Sequence, residues 1–136
     1  MQFDTKIAIV LCEELLTWQK LNVTAFLMSG IVGQDPGLIG EPYRDADGNS
    51  YRALAIQPVI VLSAGDILIR RIYERAMGRD AWLSIYTRQM FATGHDAANR
   101  TAVSEVAAAD LDLVGLALRE DRKIVDKITK GAKMHP

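Results

Sequence analysis

Lys6-Ile7-Ala8-Ile9-Val10-Leu11-Cys12 is the stretch on which the fold turns. It is rich in β-branched residues and almost free of alternation, the pattern of a strand covered on both faces rather than half open to water. It therefore predicts a central strand with protein above and below it. Glu13 and Glu14 close the run. Thr17 can then cap a helix over 18–32, which Gly33 and the Asp35-Pro36-Gly37 breaker end. Within that helix Ala25, Ser29 and Gly33 recur every four residues, a small-residue stripe that lets another backbone approach, and this predicts its packing face.

Working outward, residues 35–51 are rich in turn formers, and two strands can pair around Asp47-Gly48 within an ordered surface loop. A strand signal over 51–56 and 58–63 is interrupted at Pro58, which cannot donate to a ladder and suits an edge, a bulge or a strand start. A helix over 64–77 follows, with Ile67, Leu68 and Ile72 inward and Gly78 at its end. Then come a strand over 81–87, a helix over 93–109, a strand over 111–118, and a helix over 119–130 closed by Gly131. Strands separated by helices predict an α/β fold in three αβα layers, a mixed four-stranded sheet flanked by helices.

Composition bounds the rest. A chain of 136 residues, 49% hydrophobic and 24% charged, has room for one domain over 1–136 with one core. A single cysteine, Cys12, excludes an intrachain disulfide and a multi-cysteine zinc site. Sixteen basic residues against 17 acidic ones leave a net charge of −1, so no overall field attracts nucleic acid. The opening apolar run is too short and too acidic at its flanks for a signal peptide, and no stretch approaches the ~20 apolar residues of a membrane span. The expectation is a cytoplasmic protein with neither membrane nor nucleic-acid partner. No Gly-rich phosphate loop, metal-spaced histidine pair or Gly-x-Ser-x-Gly elbow is present, so no metal and no cofactor are expected.

The densest polar cluster beside an apolar face is Thr93-Gly94-His95-Asp96-Ala97-Ala98-Asn99-Arg100. On a helix His95 and Asn99 point where Val103 and Val106 point, so they must find partners or lose about 1–3 kcal/mol each. One reading is a cap, with Thr93 accepting from the first turn, Asp96 reaching back, and Asp96 pairing with Arg100 four residues on. The other uses the first-turn amides, with Gly94 allowing close approach, to hold an anion or carbonyl oxygen beside His95 and Asn99. Asn22, in the first turns of the long helix and following a strand's C-terminal end, is a further ligand-orienting candidate. Cys12 reads as a small buried hydrophobe. Lys123, Lys127, Lys130 and Lys133 would line one face of the last helix, and Arg70, Arg71, Arg75 and Arg79 crowd the second, both read as solvated faces.

Taken together, the strand over 6–11 with the following Asn22-Val23-Thr24-Ala25-Phe26, the strand over 58–62 with its helix, and Leu113-Val114-Gly115-Leu116-Ala117-Leu118 leading to Ile124-Val125-Asp126-Lys127-Ile128-Thr129 resemble the type II peptidyl-tRNA hydrolase fold. The stretch from Phe91 to Arg100 is similar to that of an uncharacterised bacterial family of unknown function with that fold. The resemblance departs at the functional positions. Type II hydrolases carry Gly-Lys-x-Ala-Ala-Gln at the start of the first helix, where this chain has Leu21-Asn22-Val23-Thr24-Ala25-Phe26, so the lysine is replaced by Asn22 and the glutamine by Phe26. Their Asp-Ala-Gly-x-Thr has no counterpart around Thr87-Arg88-Gln89-Met90. Losing a cation and a carboxylate removes the groups that would position an ester and its attacking water.

Three functions follow as expectations. The first is a hydrolase-like domain without the hydrolase site, holding a small polar ligand with Asn22, Thr93, Gly94, His95, Asp96, Asn99 and Arg100. The second is an ester or amide hydrolase, RNA-linked substrates included, with His95 as general base held by Asp96 or Asn99. The third is an interaction module built on the small-residue helix stripe, a homodimer as the resemblance implies.

Overall fold

The computed structural model describes residues 3–136, so the first two residues of the expected 1–136 unit lie outside it. Strand β1 (Thr5–Cys12) is the middle of a five-stranded mixed sheet of order β5-β6-β1-β4-β7. On one side it pairs parallel with β4 (Val59–Ala64), in the register Ile9 to Val61. On the other it pairs antiparallel with β6 (Leu113–Asp121), in the register Ile9 to Ala117. Strand β5 (Ser84–Thr87) adds antiparallel to β6 at one edge, and β7 (Lys133–Met134) antiparallel to β4 at the other.

The side chains of β1 divide the core as a buried strand must. Ile7, Ile9 and Leu11 face helix α1 (Thr17–Gln34), while Ala8 and Val10 face α2 (Asp66–Gly78) and α4 (Arg122–Ile128). Helices therefore lie on both faces of the sheet. Helix α3 (Asp96–Ser104) stands apart from these layers and buries none of its residues fully. Strands β2 (Tyr43–Arg44) and β3 (Ser50–Tyr51) pair around Asp47-Gly48, as the turn residues predict. Asp45 organises that hairpin by accepting from the backbone of Asp47 and Asn49, the Asn49 amide and the Tyr51 hydroxyl. These bonds hold its carboxyl at about 2, below the ordinary 3.8.

Several expectations are corrected. The sheet has five strands rather than four, because the C-terminal Lys133–Met134 adds to β4 after Gly131 turns the chain at φ 100°. Residues 51–56 form no strand beyond Tyr51; one isolated bridge joins Ala55 to Ile39. The stripe Ala25, Ser29, Gly33 faces outward, and α1 packs instead through Val23, Leu27 and Ile31, whose larger apolar side chains gain more from burial. Close approach is achieved from the sheet side: a Cβ at Gly115 would sit 2.6 Å from Val23 Cγ1. Ile67 is 70% exposed, since α2 turns Ile69, Ile72, Tyr73 and Ala76 inward.

Arg119, Glu120 and Asp121 extend β6 rather than opening the last helix, because they continue the ladder opposite Ile7, Lys6 and Thr5. Helix α4 starts only after Asp121, whose carboxylate caps Lys123 N–H. It ends at Ile128, so Lys130 and Lys133 do not share its face with Lys123 and Lys127. Arg70 and Arg75 are engaged with backbone carbonyls, of Ala108 and Ala109 and of Ile128 and Lys130 respectively. Helix α3 stops at Ser104, not at residue 109, and Ala108–Asp110 form a separate 3-10 turn. Cys12 is buried with the α1-side core.

Candidate functional site

The segments that carry the polar candidates meet beyond the β5 edge of the sheet. Helix α1 presents Trp18, Asn22 and Phe26, spaced four residues apart and so stacked along one face. Strand β5 brings Ile85 and Tyr86, and the 3-10 turn Arg88–Ala92 brings Met90 and Phe91. The turn that follows and α3 supply Thr93, Gly94, His95, Asp96, Asn99, Arg100, Val103 and Ser104. Together they line one cavity of about 700 Å³, within the usual range for small-molecule sites. All seven residues singled out from the sequence thus border the same space.

The floor is aromatic. Tyr86 packs against Phe91 with ring centroids 5.1 Å apart and against Phe26 at 5.9 Å, and Trp18 meets Phe91 edge-on at 5.9 Å. Tyr86 is nearly fully covered and its hydroxyl has no hydrogen-bond partner among the described residues; burial pushes that phenol above its ordinary 10. Trp18 and Phe26 remain about half exposed, at 57% and 51%. These apolar residues escaped the sequence reading, although the four-residue recurrence of Trp18, Asn22 and Phe26 along one face of the helix was the available signal.

The rim is polar and internally organised. His95, not Thr93, is the N-cap of α3: its Nδ1 accepts from Ala98 N–H at 3.2 Å. With Nδ1 so used, the neutral ring carries its proton on Nε2 and offers a donor. Thr93 Oγ1 instead donates to Met90 O at 2.9 Å and lies within hydrogen-bonding reach of Asn99 Oδ1. Asp96 pairs with Arg100 one turn on, so neither Asp96 nor Asn99 orients His95. Asn22 is exposed on the α1 wall, across from this rim. Among the described residues no three His, Cys, Asp or Glu side chains gather as metal ligands.

Chemically, the arrangement is a slot with an aromatic floor of tilted rings and a polar edge, suited to holding a small molecule that has both apolar and hydrogen-bonding groups. Its charged groups, Asp96 and Arg100, satisfy each other at the rim. Among the described residues no helix is long and apolar enough to cross a membrane.

No curated protein matches the chain. A solved structure of a protein of unknown function from Agrobacterium tumefaciens is 57% identical and superposes with a TM-score of 0.97, covering 99% of this chain and 100% of that one. The chain matches the family described as "Protein of unknown function (DUF2000)" over residues 5–136, and it belongs to that family.

Proposed function

We propose that this protein binds a small polar ligand in the slot between α1 and α3, and that it does so without the peptidyl-tRNA hydrolase reaction that its strand and helix motifs resemble. The observation that carries the reading is the convergence of Asn22, from the first helix, with Thr93, Gly94, His95, Asp96, Asn99 and Arg100 on one cavity with an aromatic floor. Thr93 and Asn99 are half-buried and the other five are exposed, so the cluster costs the free protein little and leaves polar groups open toward the cavity for a ligand to engage. A type II hydrolase-like arrangement of one domain, acting in the cytoplasm, is the finer part of this proposal. It is supported by the sequence resemblance and by the mixed sheet covered on both faces.

A thermal-shift screen of metabolites tests it. A binding metabolite stabilises the folded state increasingly as its concentration rises above Kd, and that shift should vanish in Asn22→Ala and His95→Ala. Variants that keep the full shift would sink the assignment. A homodimer is the second reading, favoured by the outward face of α1, where Leu21 is 68% exposed and Ala25 and Ser29 face solvent with it. Light scattering at micromolar concentration should give twice the monomer mass; a monomer refutes it.

A further inference from the structure

The free hydrogen-bonding groups of the slot include donors at Tyr86 and His95. Tyr86 is 4% exposed, borders the cavity, and has no protein partner for its hydroxyl among the described residues. Its raised pKa keeps that hydroxyl a donor across the ordinary pH range. His95 keeps Nε2–H free because Nδ1 is spent on the cap of α3. Asn99 lies against Thr93 through one end of its amide, which leaves the other end free. Asn22 on the opposite wall has both amide functions free among the described residues.

The charges of the rim cancel, since Arg100 is paired with Asp96. Among the described residues no unopposed cation lines the cavity to hold a carboxylate or phosphate. Neighbouring rings pack on one another at 5.1–5.9 Å with interplanar angles of 49–71°, so the apolar surface offers both ring faces and ring edges to an aromatic ligand. Trp18 and Phe26, two helical turns apart, span about 12 Å, enough for a two-ring system between them.

Resting on the ligand-binding reading above, we infer that the slot takes an uncharged, planar, acceptor-rich heteroaromatic compound of about two fused rings, with a carbonyl or ring nitrogen directed at the Tyr86 hydroxyl. The aromatic floor supplies stacking, Tyr86 fixes the inner end, and the amides of Asn22 and Asn99 read the edges. An unpartnered hydroxyl on a residue bordering the cavity costs the free protein little while water reaches it, and it discriminates between ligands once one excludes that water.

Three probes of nearly equal area separate the terms: 2-quinolone is neutral with a carbonyl, 2-naphthoate is an anion, and naphthalene has no polar edge. Titrations followed by the side-chain amide resonances of Asn22 and Asn99 should show 2-quinolone binding most tightly. Tyr86→Phe should weaken it about fivefold, the worth of one neutral hydrogen bond, and leave the weaker naphthalene binding unchanged. The same variant should not lower the melting temperature of the free protein, since no internal bond is lost. The inference is overturned if 2-naphthoate binds as tightly as 2-quinolone, if Tyr86→Phe binds 2-quinolone at full strength, or if that variant is destabilised without ligand. A metabolite whose shift depends on Asn22, in a protein that ignores 2-quinolone, refutes the chemical class alone. Absence of both refutes the pocket itself.

Discussion

Gly115→Ala tests how closely the wall of the slot is tied to the sheet. In the middle of β6, Gly115 has no side chain between the strand and α1. An added Cβ would lie 2.6 Å from Val23 Cγ1 and 3.1 Å from Leu27 Cδ1. Ordinary carbon contacts are about 3.5–4.0 Å, so α1 must lift by the better part of an ångström or Val23 must leave its rotamer. Overpacking of this kind costs about 1–3 kcal/mol. For a chain of this length that lowers the melting temperature by on the order of 3–10 °C. The assay is urea unfolding of Gly115→Ala, Val23→Ala and the double variant. Val23→Ala alone leaves a cavity, but in the double variant the methyl group added at position 115 takes up that space. The double variant should therefore be more stable than the sum of the singles by at least about 1 kcal/mol. Because Val23 adjoins Asn22, the single Gly115→Ala variant should also weaken any ligand held against α1. Additive losses, or a Gly115→Ala variant as stable as the parent, would refute the contact argument.

Helix α3 should exchange its amide hydrogens far faster than β1 or β6, since it buries no residue fully and is held by its His95 cap and the Asp96–Arg100 pair; equal protection would contradict the description of a helix standing apart. Asp45, depressed to about 2, contributes to the hairpin above 3.8, and that contribution is lost as pH falls through about 2. Its carboxyl resonance should titrate there, and Tyr51→Phe should move the midpoint upward; a midpoint of 3.8 in the parent would refute the bonding scheme. Arg119→Met removes the ion pair to Asp35 and the bond to Gln57 Oε1 at 3.1 Å. Discounted for partial exposure, the loss in chemical denaturation should be about 1 kcal/mol; no change would mean that the pair is inert.

How far the sequence carried the reading depends on how local each signal was. Strand β1 was legible because an almost unbroken apolar run admits few alternatives. The inward face of α1 was not, because Val23-Leu27-Ile31 and Ala25-Ser29-Gly33 recur at the same interval, and only the opposing Gly115 decides between them. Arg119 to Asp121 look helical by composition, yet their ladder partners at the other end of the chain make them strand. Strand β7 has no apolar pattern and exists through its pairing with Leu62 and Ser63. In the site, the polar half announced itself as hydrophilic residues on the apolar side of a helix. The aromatic half comes from three separate segments, each of which reads as ordinary core, and its assembly is a tertiary fact. Thr93 looks like the cap in the sequence because threonine is a preferred residue there and a histidine nitrogen is a less common acceptor.

The pairing of β1 with β6 sets the order in which this chain can assemble. Thr5 lies opposite Asp121 and Leu11 opposite Gly115, so more than a hundred residues must follow β1 before its second ladder can form. Until then β1 can pair with β4 alone, with the apolar groups of Ile7, Ile9 and Leu11 incompletely covered. A nascent chain on the ribosome would accordingly expose this sticky segment throughout that interval, and closure by β6 is the late, loop-entropy-limited step of folding. Fragments ending before residue 113 should be clients of chaperones rather than partial folds.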